Sequence, residues 1–330
     1  MTIVGGAANS VGAAGGWVQG GGHSPLGWLY GMGVDNVLQY TIVKANGKIV
    51  TANSCQNQDL FWALRGGGGG TWGVALNVTY KTHPALDSIV GLSVSMNFTS
   101  SEKLTNIRGW AVWTPPATLS LVVFHPNSPS VEYTNKTLAP VWEWVASNPD
   151  TQVTSSGSIH PTFLDFFTVW IATDVQIAVP LWISGKLVSR TAMQTRSSEL
   201  AKLISNALVY TPSLNFVGGG AITKVDPEST GLNPQWRNDA LISWNMGSTW
   251  NDATPAEKID DIKKTITNYT QALGKLAGLD QAAYFNEADP QEPVWKKAFF
   301  GVHYGRLLRI KRDVDPEGLF ACNRCVGSDL

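Results

Sequence analysis

Gly15-Gly16-Trp17-Val18-Gln19-Gly20-Gly21-Gly22-His23-Ser24 places five glycines in eight positions ahead of a histidine. Such a run resists regular helix and strand, because glycine loses the most backbone freedom on ordering. It offers close backbone approach and positive φ, so that bare N–H groups can face a flat or anionic ligand. A flexible linker is the competing reading, but Trp17, Val18 and His23 are poor linker residues. A second run, Gly66-Gly67-Gly68-Gly69-Gly70, follows Phe61-Trp62-Ala63-Leu64-Arg65. Two such runs point to one cradle for a large cofactor.

Exclusion narrows the cofactor. Neither run closes on Lys-Ser or Lys-Thr, so a phosphate-gripping P-loop is excluded. A G-x-G-x-x-G spacing occurs at Gly68, Gly70 and Gly73. A dinucleotide site needs a strand before that motif and a helix after it. Here a helix (Asp59–Arg65) precedes it and an alternating strand (Trp72–His83) follows.

Gly15–Ser24, with Tyr30-Gly31-Met32-Gly33-Val34-Asp35-Asn36-Val37-Leu38 behind it, resembles the second half of the flavin domain of the vanillyl-alcohol-oxidase type. Asn57-Gln58-Asp59-Leu60-Phe61-Trp62-Ala63-Leu64-Arg65 and the glycines after it resemble the helix and loop that come next in that family. Tyr284-Phe285-Asn286-Glu287-Ala288-Asp289, and the stretch from Tyr304-Gly305-Arg306-Leu307 to Asp315-Pro316-Glu317-Gly318-Leu319-Phe320, are similar to the closing segment of berberine-bridge-type oxidases, above all secreted fungal FAD-linked oxidoreductases. The chain between these ends carries no recognisable motif.

The resemblance implies an α+β fold: the C-terminal half of a PCMH-type FAD-binding domain (1–86), then an α+β substrate domain with an antiparallel sheet flanked by helices (87–280). A berberine-type segment (281–330) returns to the flavin domain. It implies FAD as cofactor, with Ala13, Ala14, Gly15, Gly16, Gln19, Gly20, Gly21, Gly22 and His23 along the flavin and Val74 at its adenine end. Asn9 stands where many relatives carry a flavin-linking cysteine; an amide is no thiolate, so that link is expected to be absent. The family's flavin domain opens with a further βαβ half, and the chain is read as truncated before its second half.

Oxidation of an alcohol by a flavin profits from a base for the hydroxyl proton. In plant relatives a tyrosine at the place of Glu287 serves. Glu287 is therefore the candidate base, with Tyr284 and Asn286 on the same extended segment facing the same pocket. A surface acid flanking a helix is the competing reading. His303 and Tyr304, or a carboxylate of the middle domain, are further candidates.

Composition sets bounds on partners. With 330 residues, 43% hydrophobic and 15% charged, the chain is globular and long enough for two domains. A net charge of −1 without a basic block argues against nucleic acid. No apolar run reaches the roughly 18–20 residues that span a bilayer, and the start carries no signal-peptide pattern. Four glycosylation sequons, at Asn77, Asn97, Asn135 and Asn268, nonetheless lean toward an exported family form. Cys55, Cys322 and Cys325 predict one disulfide and a spare thiol; Cys322 and Cys325 form a CxxC without the further ligands that zinc needs. No metal is expected. Fourteen tryptophans serve as core filler or line a site for flat substrates. The leading expectation is a monomeric FAD-dependent oxidoreductase acting on an alcohol, sugar or secondary metabolite with oxygen as acceptor. The alternatives are a non-catalytic remnant with half a flavin site and a glycan-binding protein.

Local signals place the elements. Val37–Val43 and Lys48–Ala52 form a hairpin through Asn46-Gly47, the signature of a type I′ turn. Strands are expected over Ser88–Phe98, Ser120–His125 and Leu241–Met246. Helices are expected over Ser101–Trp113, Leu138–Ser147 and Ala192–Leu208. Thr254-Pro255-Ala256-Glu257 reads as a capping box opening a helix that Gly278 ends. Asp289-Pro290 opens a last helix, Trp295–Lys311.

Overall fold

The computed structural model describes residues 1–97, 110–114, 118–171, 179–205 and 211–329. In chain order the elements begin with α1 (Gly16–Gln19), α2 (Gly27–Tyr30), β1 (Val37–Val43), β2 (Ile49–Asn53), α3 (Gln58–Leu64) and β3 (Val74–Tyr80). The middle carries β4 (Ile89–Asn97), β5 (Trp110–Thr114), β6 (Thr118–Pro126), α4 (Val131–Thr137), α5 (Ala139–Ala146), β7 (Gln152–His160) and α6 (Phe163–Trp170). There follow β8 (Leu181–Ser189), α7 (Arg190–Thr195), α8 (Ser197–Ser205), β9 (Thr211–Phe216), β10 (Ala240–Thr249), α9 (Ala256–Leu276) and α10 (Tyr304–Val314). Contacts divide the chain into two units. A sheet unit comprises Met1–Thr2, Pro84–Phe216 and Ile242–Gly278; a loop-bearing unit comprises Ile3–His83, Val217–Leu241 and Leu279–Leu330.

The sheet unit is built on seven strands in the order β7-β4-β6-β5-β9-β10-β8. β4 pairs antiparallel with β6 and β7, β5 with β6 and β9, and β9 with β10. Helix α9 buries Ile262, Ile266, Thr270 and Leu273, a stripe at intervals of three and four residues. Ile262 and Ile266 pack with Met246 of β10, flanked by Trp182, Trp250 and Tyr269. Ser184 of β8 donates to the Thr270 hydroxyl at 2.8 Å, which satisfies two buried polar groups. The two-residue period of a strand sends Ser243 and Asn245 to the face opposite Met246.

Three expectations fail here. Trp110–Thr114 is strand, not the end of a helix, because β6 and β9 offer it partners on both sides; 101–109 of that expected helix lie outside the described residues. The Ala192–Leu208 helix is broken at Arg196 into α7 and α8, and 206–208 are likewise outside the description. The capping box at Thr254 does not form: the Thr254 hydroxyl is engaged by Asn251, and Pro255 caps α9 without a side-chain bond.

In the loop-bearing unit β1 lies between β2 and β3, antiparallel to both. Tyr40, Ile42 and Ala52 are fully buried on one face. The expected hairpin forms with a different turn. Lys44 N–H donates to Lys48 O at 3.0 Å, and Gly47 takes φ 75° while Asn46 does not turn positive. A three-residue loop ending in a left-handed glycine relieves Asn46 of the strained conformation that type I′ demands. Helix α3 buries all of Leu60–Leu64. The expected last helix is interrupted: Lys296–Phe300 is a π-helical turn, and Gly301 (φ 58°) separates it from α10. Lys311 of α10 is buried and donates to Asp315 Oδ2 (2.5 Å), Thr71 O (2.8 Å) and Phe320 O (2.7 Å). This knot ties the second glycine run to the C-terminal tail.

Candidate functional site

The two glycine runs meet inside the loop-bearing unit. Gln19 O accepts from both Gly66 N–H and Gly68 N–H, each at 3.0 Å. A Cβ on Gly69 would stand 2.9 Å from the Gly16 Cα, so the two backbones are in contact. Only glycine permits that approach. Gln19 therefore joins the two runs through its carbonyl, with its side chain buried.

The expected flavin ledge separates into an open and a filled part. Ala14, Gly15 and Gly16 are exposed, and nothing lies within 4 Å of where a Cβ on Gly15 or Gly16 would sit. Ala13 is half-buried, its carbonyl held by the Tyr80 hydroxyl. Gly20, Gly21 and Gly22 are buried against protein instead. A Cβ on Gly20 would collide with the Asn286 carboxamide (2.5 Å), one on Gly21 with Leu232 (2.8 Å), and one on Gly22 with Trp17 (3.1 Å). These three are tight for internal packing, whereas Ala14, Gly15 and Gly16 stay open. That ledge, free of side chains beyond Cβ, fits a flat ring system such as the isoalloxazine of FAD. Val74 is 52% exposed on β3. Asn9 is exposed on a turn.

The Tyr284–Glu287 segment reaches back over this run. Asn286 Nδ2 lies 3.1 Å from Gly16 O, 3.2 Å from Trp17 O and 2.7 Å from the Tyr284 hydroxyl. The Tyr284 hydroxyl donates to Trp17 O at 3.3 Å. Tyr284 and Asn286, expected beside Glu287 in one pocket, are thus committed to fastening α1. Burial, and secondarily the charge of Glu287, pushes the Tyr284 phenol far above its ordinary range. It is a hydrogen-bonding strut and no base at neutral pH.

Glu287 Oε1 lies 2.9 Å from His23 Nε2, both side chains partly exposed. Tyr284 packs edge-on against the His23 ring at 5.0 Å. Burial alone would lower the His23 pKa; the charge and hydrogen bond of Glu287 outweigh it, and the net shift is upward. Sequence reading named both residues but placed one on the cofactor and the other on the substrate. Their pairing across 264 positions has no sequence signal.

The other candidates are structural. His303 is buried, with Nδ1 3.0 Å from Leu232 O and Nε2 3.1 Å from Glu228. Tyr304 bonds to Asp329 at 3.3 Å. The reading missed Val217–Leu241, whose Leu232 packs under Gly21 and Gly66 and whose Arg237 forms a buried pair with Asp35. In the sheet unit, an open cavity of about 420 Å³ is lined by Ile183, Ser213, Asn245, Gly247, Ser248 and Thr249 among others, none of them acidic. Among the described residues no cluster suits a metal ion, and no helix is long and apolar enough to cross a membrane.

Comparison with known proteins adds to this geometry. A family model described as "Berberine and berberine like" matches residues 283–327. An uncharacterized FAD-linked oxidoreductase of Arthroderma benhamiae is 36% identical, the match covering 100% of this chain and 61% of the relative. The VAO-type flavoprotein MtVAO713 from Myceliophthora thermophila C1 superposes with a TM-score of 0.90 at 26% identity, over 99% of this chain and 63% of that one. Glucooligosaccharide oxidase from Acremonium strictum, which carries a 6-S-cysteinyl, 8α-N1-histidyl FAD, shares the fold with a TM-score of 0.80 at 19% identity, over 99% of this chain and 74% of its own. The chain spans about 61% of the length of the first curated relatives.

Proposed function

We infer the function from family and site together: the chain belongs to the FAD-linked oxidoreductases of the vanillyl-alcohol-oxidase type, in their berberine-like branch. The protein is read as oxidising a hydroxyl-bearing small molecule, an alcohol, a sugar or a secondary metabolite, with oxygen as the final acceptor. FAD, when bound, supplies the hydride acceptor. Ala13, Ala14, Gly15 and Gly16 would hold it by backbone approach, and Val74 would meet its adenine end.

The observation that carries the reading is the His23–Glu287 pair at the end of the first glycine run. Oxidation of an alcohol releases a hydride and a proton, and the proton needs an acceptor. Glu287 takes that role, with His23 fixing the carboxylate by charge and hydrogen bond. Asn286 and Tyr284, adjacent in sequence, lock the glycine run and with it the position of Glu287. The reading extends to a monomer, checked by light scattering, and to an exported glycoprotein, checked by glycosidase treatment of protein from its native source.

Glu287→Gln in the full-length protein tests it. FAD content and circular dichroism should be unchanged. Flavin reduction by substrate should slow about 10²–10⁴-fold, the usual contribution of a general base, and the acidic limb of the pH–rate profile should vanish. A small loss with that limb intact refutes the assignment.

A further inference from the structure

We propose that Cys322–Cys325 is a thiol-responsive redox site whose state sets how firmly the second glycine run is held. The two cysteines form a disulfide. Both sulfurs rest on the same backbone carbonyl, Gly69 O, at 3.7 Å from Cys322 and 3.9 Å from Cys325. A Cβ on Gly70 would touch the Cys322 sulfur at 3.4 Å. On its other side Gly69 packs against Gly16 of the exposed ledge. The disulfide is thus the outer support of a loop whose inner side forms the cradle.

The pair has the asymmetry that thiol–disulfide exchange needs. Cys325 is 1% exposed, whereas Cys322 is only half-buried and is the sulfur a small thiol can reach. A thiolate RS⁻ attacks Cys322 Sγ, the S–S bond breaks, and Cys325 leaves as a thiolate that takes up a proton. A second RS⁻ then attacks the sulfur of R in the mixed disulfide and releases Cys322. The net change is protein disulfide plus two RSH to protein dithiol plus RSSR.

The turn is fastened independently of the bridge. Asn323 Nδ2 donates to Pro290 O at 2.9 Å, and Arg324 Nε contacts the same carbonyl at 3.4 Å. Cys325 N–H donates to Cys322 O at 3.2 Å, and Ser328 N–H to Cys325 O at 3.0 Å. A bridge between residues three apart also closes a very short loop and restrains the unfolded chain little. Reduction therefore leaves the tail in place but frees two sulfurs from a fixed seat under Gly69.

The consequence for FAD rests on the functional reading above; the coupling between disulfide and loop does not. Glutathione is added to the native chain without denaturant, and thiols are counted by mass shift with a maleimide. Exposed Cys55 reports one thiol before reduction, and three are expected after it. Hydrogen exchange of the 66–72 peptide is then compared in the oxidised chain, the reduced chain and the Cys322→Ser/Cys325→Ser variant. Exchange should quicken about three- to tenfold in the last two, the factor for losing the few close packing contacts that the fixed sulfurs make with the Gly69 and Gly70 backbone. A disulfide that opens only in denaturant, or equal exchange in all three forms, overturns the proposal. FAD titration of the same samples should show weaker binding in the reduced form. Absence of FAD binding in every form refutes the functional reading and leaves the exchange result standing.

Discussion

Arg237→Met should loosen the floor beneath the first glycine run. Arg237 and Asp35 are 1% and 6% exposed and bond through both nitrogens, Nη1 to Oδ2 at 2.7 Å and Nη2 to Oδ1 at 2.5 Å. Asp35 Oδ2 also accepts from Met32 N–H at 2.8 Å. The backbone so fixed supports the glycines: Gly33 N–H donates to Gly22 O at 2.7 Å and Val34 N–H to Gly21 O at 3.2 Å. Two charge-assisted bonds at about 1.5–3 kcal/mol each give about 3–6 kcal/mol. Breaking a buried pair by removing one partner costs about 3–5 kcal/mol, since a desolvated charge is left behind. The Met32 amide remains and Arg65 interacts electrostatically with Asp35, so the low end applies, about 3 kcal/mol. That is a large share of the roughly 5–15 kcal/mol that holds a domain together. Guanidinium unfolding gives the global loss, and amide exchange at Gly33 and Val34 gives the local one. Asp35→Leu/Arg237→Met should regain most of the stability, because no charge is then left buried. A loss below about 1 kcal/mol in the single variant refutes the reasoning, for it would mean that Asp35 is not left as an uncompensated buried charge when Arg237 is removed.

Gly21→Val should unfold or loosen the loop-bearing unit even without ligand, because φ is 132° and the new side chain meets Leu232; unchanged urea midpoint and exchange would contradict this. The raised pKa of His23 means that its pair with Glu287 stabilises the fold below the ordinary histidine value of about 6.5 and stops doing so as pH rises through the raised value. The gap in unfolding midpoint between wild type and Glu287→Gln should therefore close with rising pH, and a gap independent of pH would refute the pairing. The Asp315 carboxyl is held below its usual range: burial opposes this, but the Lys311 bond and the Phe320 and Leu319 amides outweigh burial. Stability from this knot should persist above the unfolded value and fall away as pH drops through the lower folded one, seen as acid-induced exchange in the 315–320 segment that Lys311→Met no longer shows.

Much of the local structure was legible in residues. The alternation of Trp72–His83 found its element because a strand repeats at a fixed period, and the Thr254-Pro255 start with the Gly278 stop found α9 because proline and glycine punctuate a helix locally. Strands β5, β7, β8 and β9 were missed or misread, since a strand's partner lies far away in sequence. Trp110–Thr114 reads as helix in isolation and becomes strand between β6 and β9. The capping box at Thr254 was a sound local signal lost to a neighbour, Asn251, that competed for the same hydroxyl.

The glycine runs, the Tyr284–Glu287 segment and the CxxC were determined by the sequence itself, because each is a local composition with a local physical consequence. What they do was decided by tertiary structure. Gly20–Gly22 serve contact with Asn286, Leu232 and Trp17, while Ala14–Gly16 keep the open edge. Glu287 meets His23, and the disulfide meets Gly69. Apart from Gly22 with Trp17, each of these contacts joins positions hundreds of residues apart, and no local propensity or period encodes which distant backbone a side chain will reach.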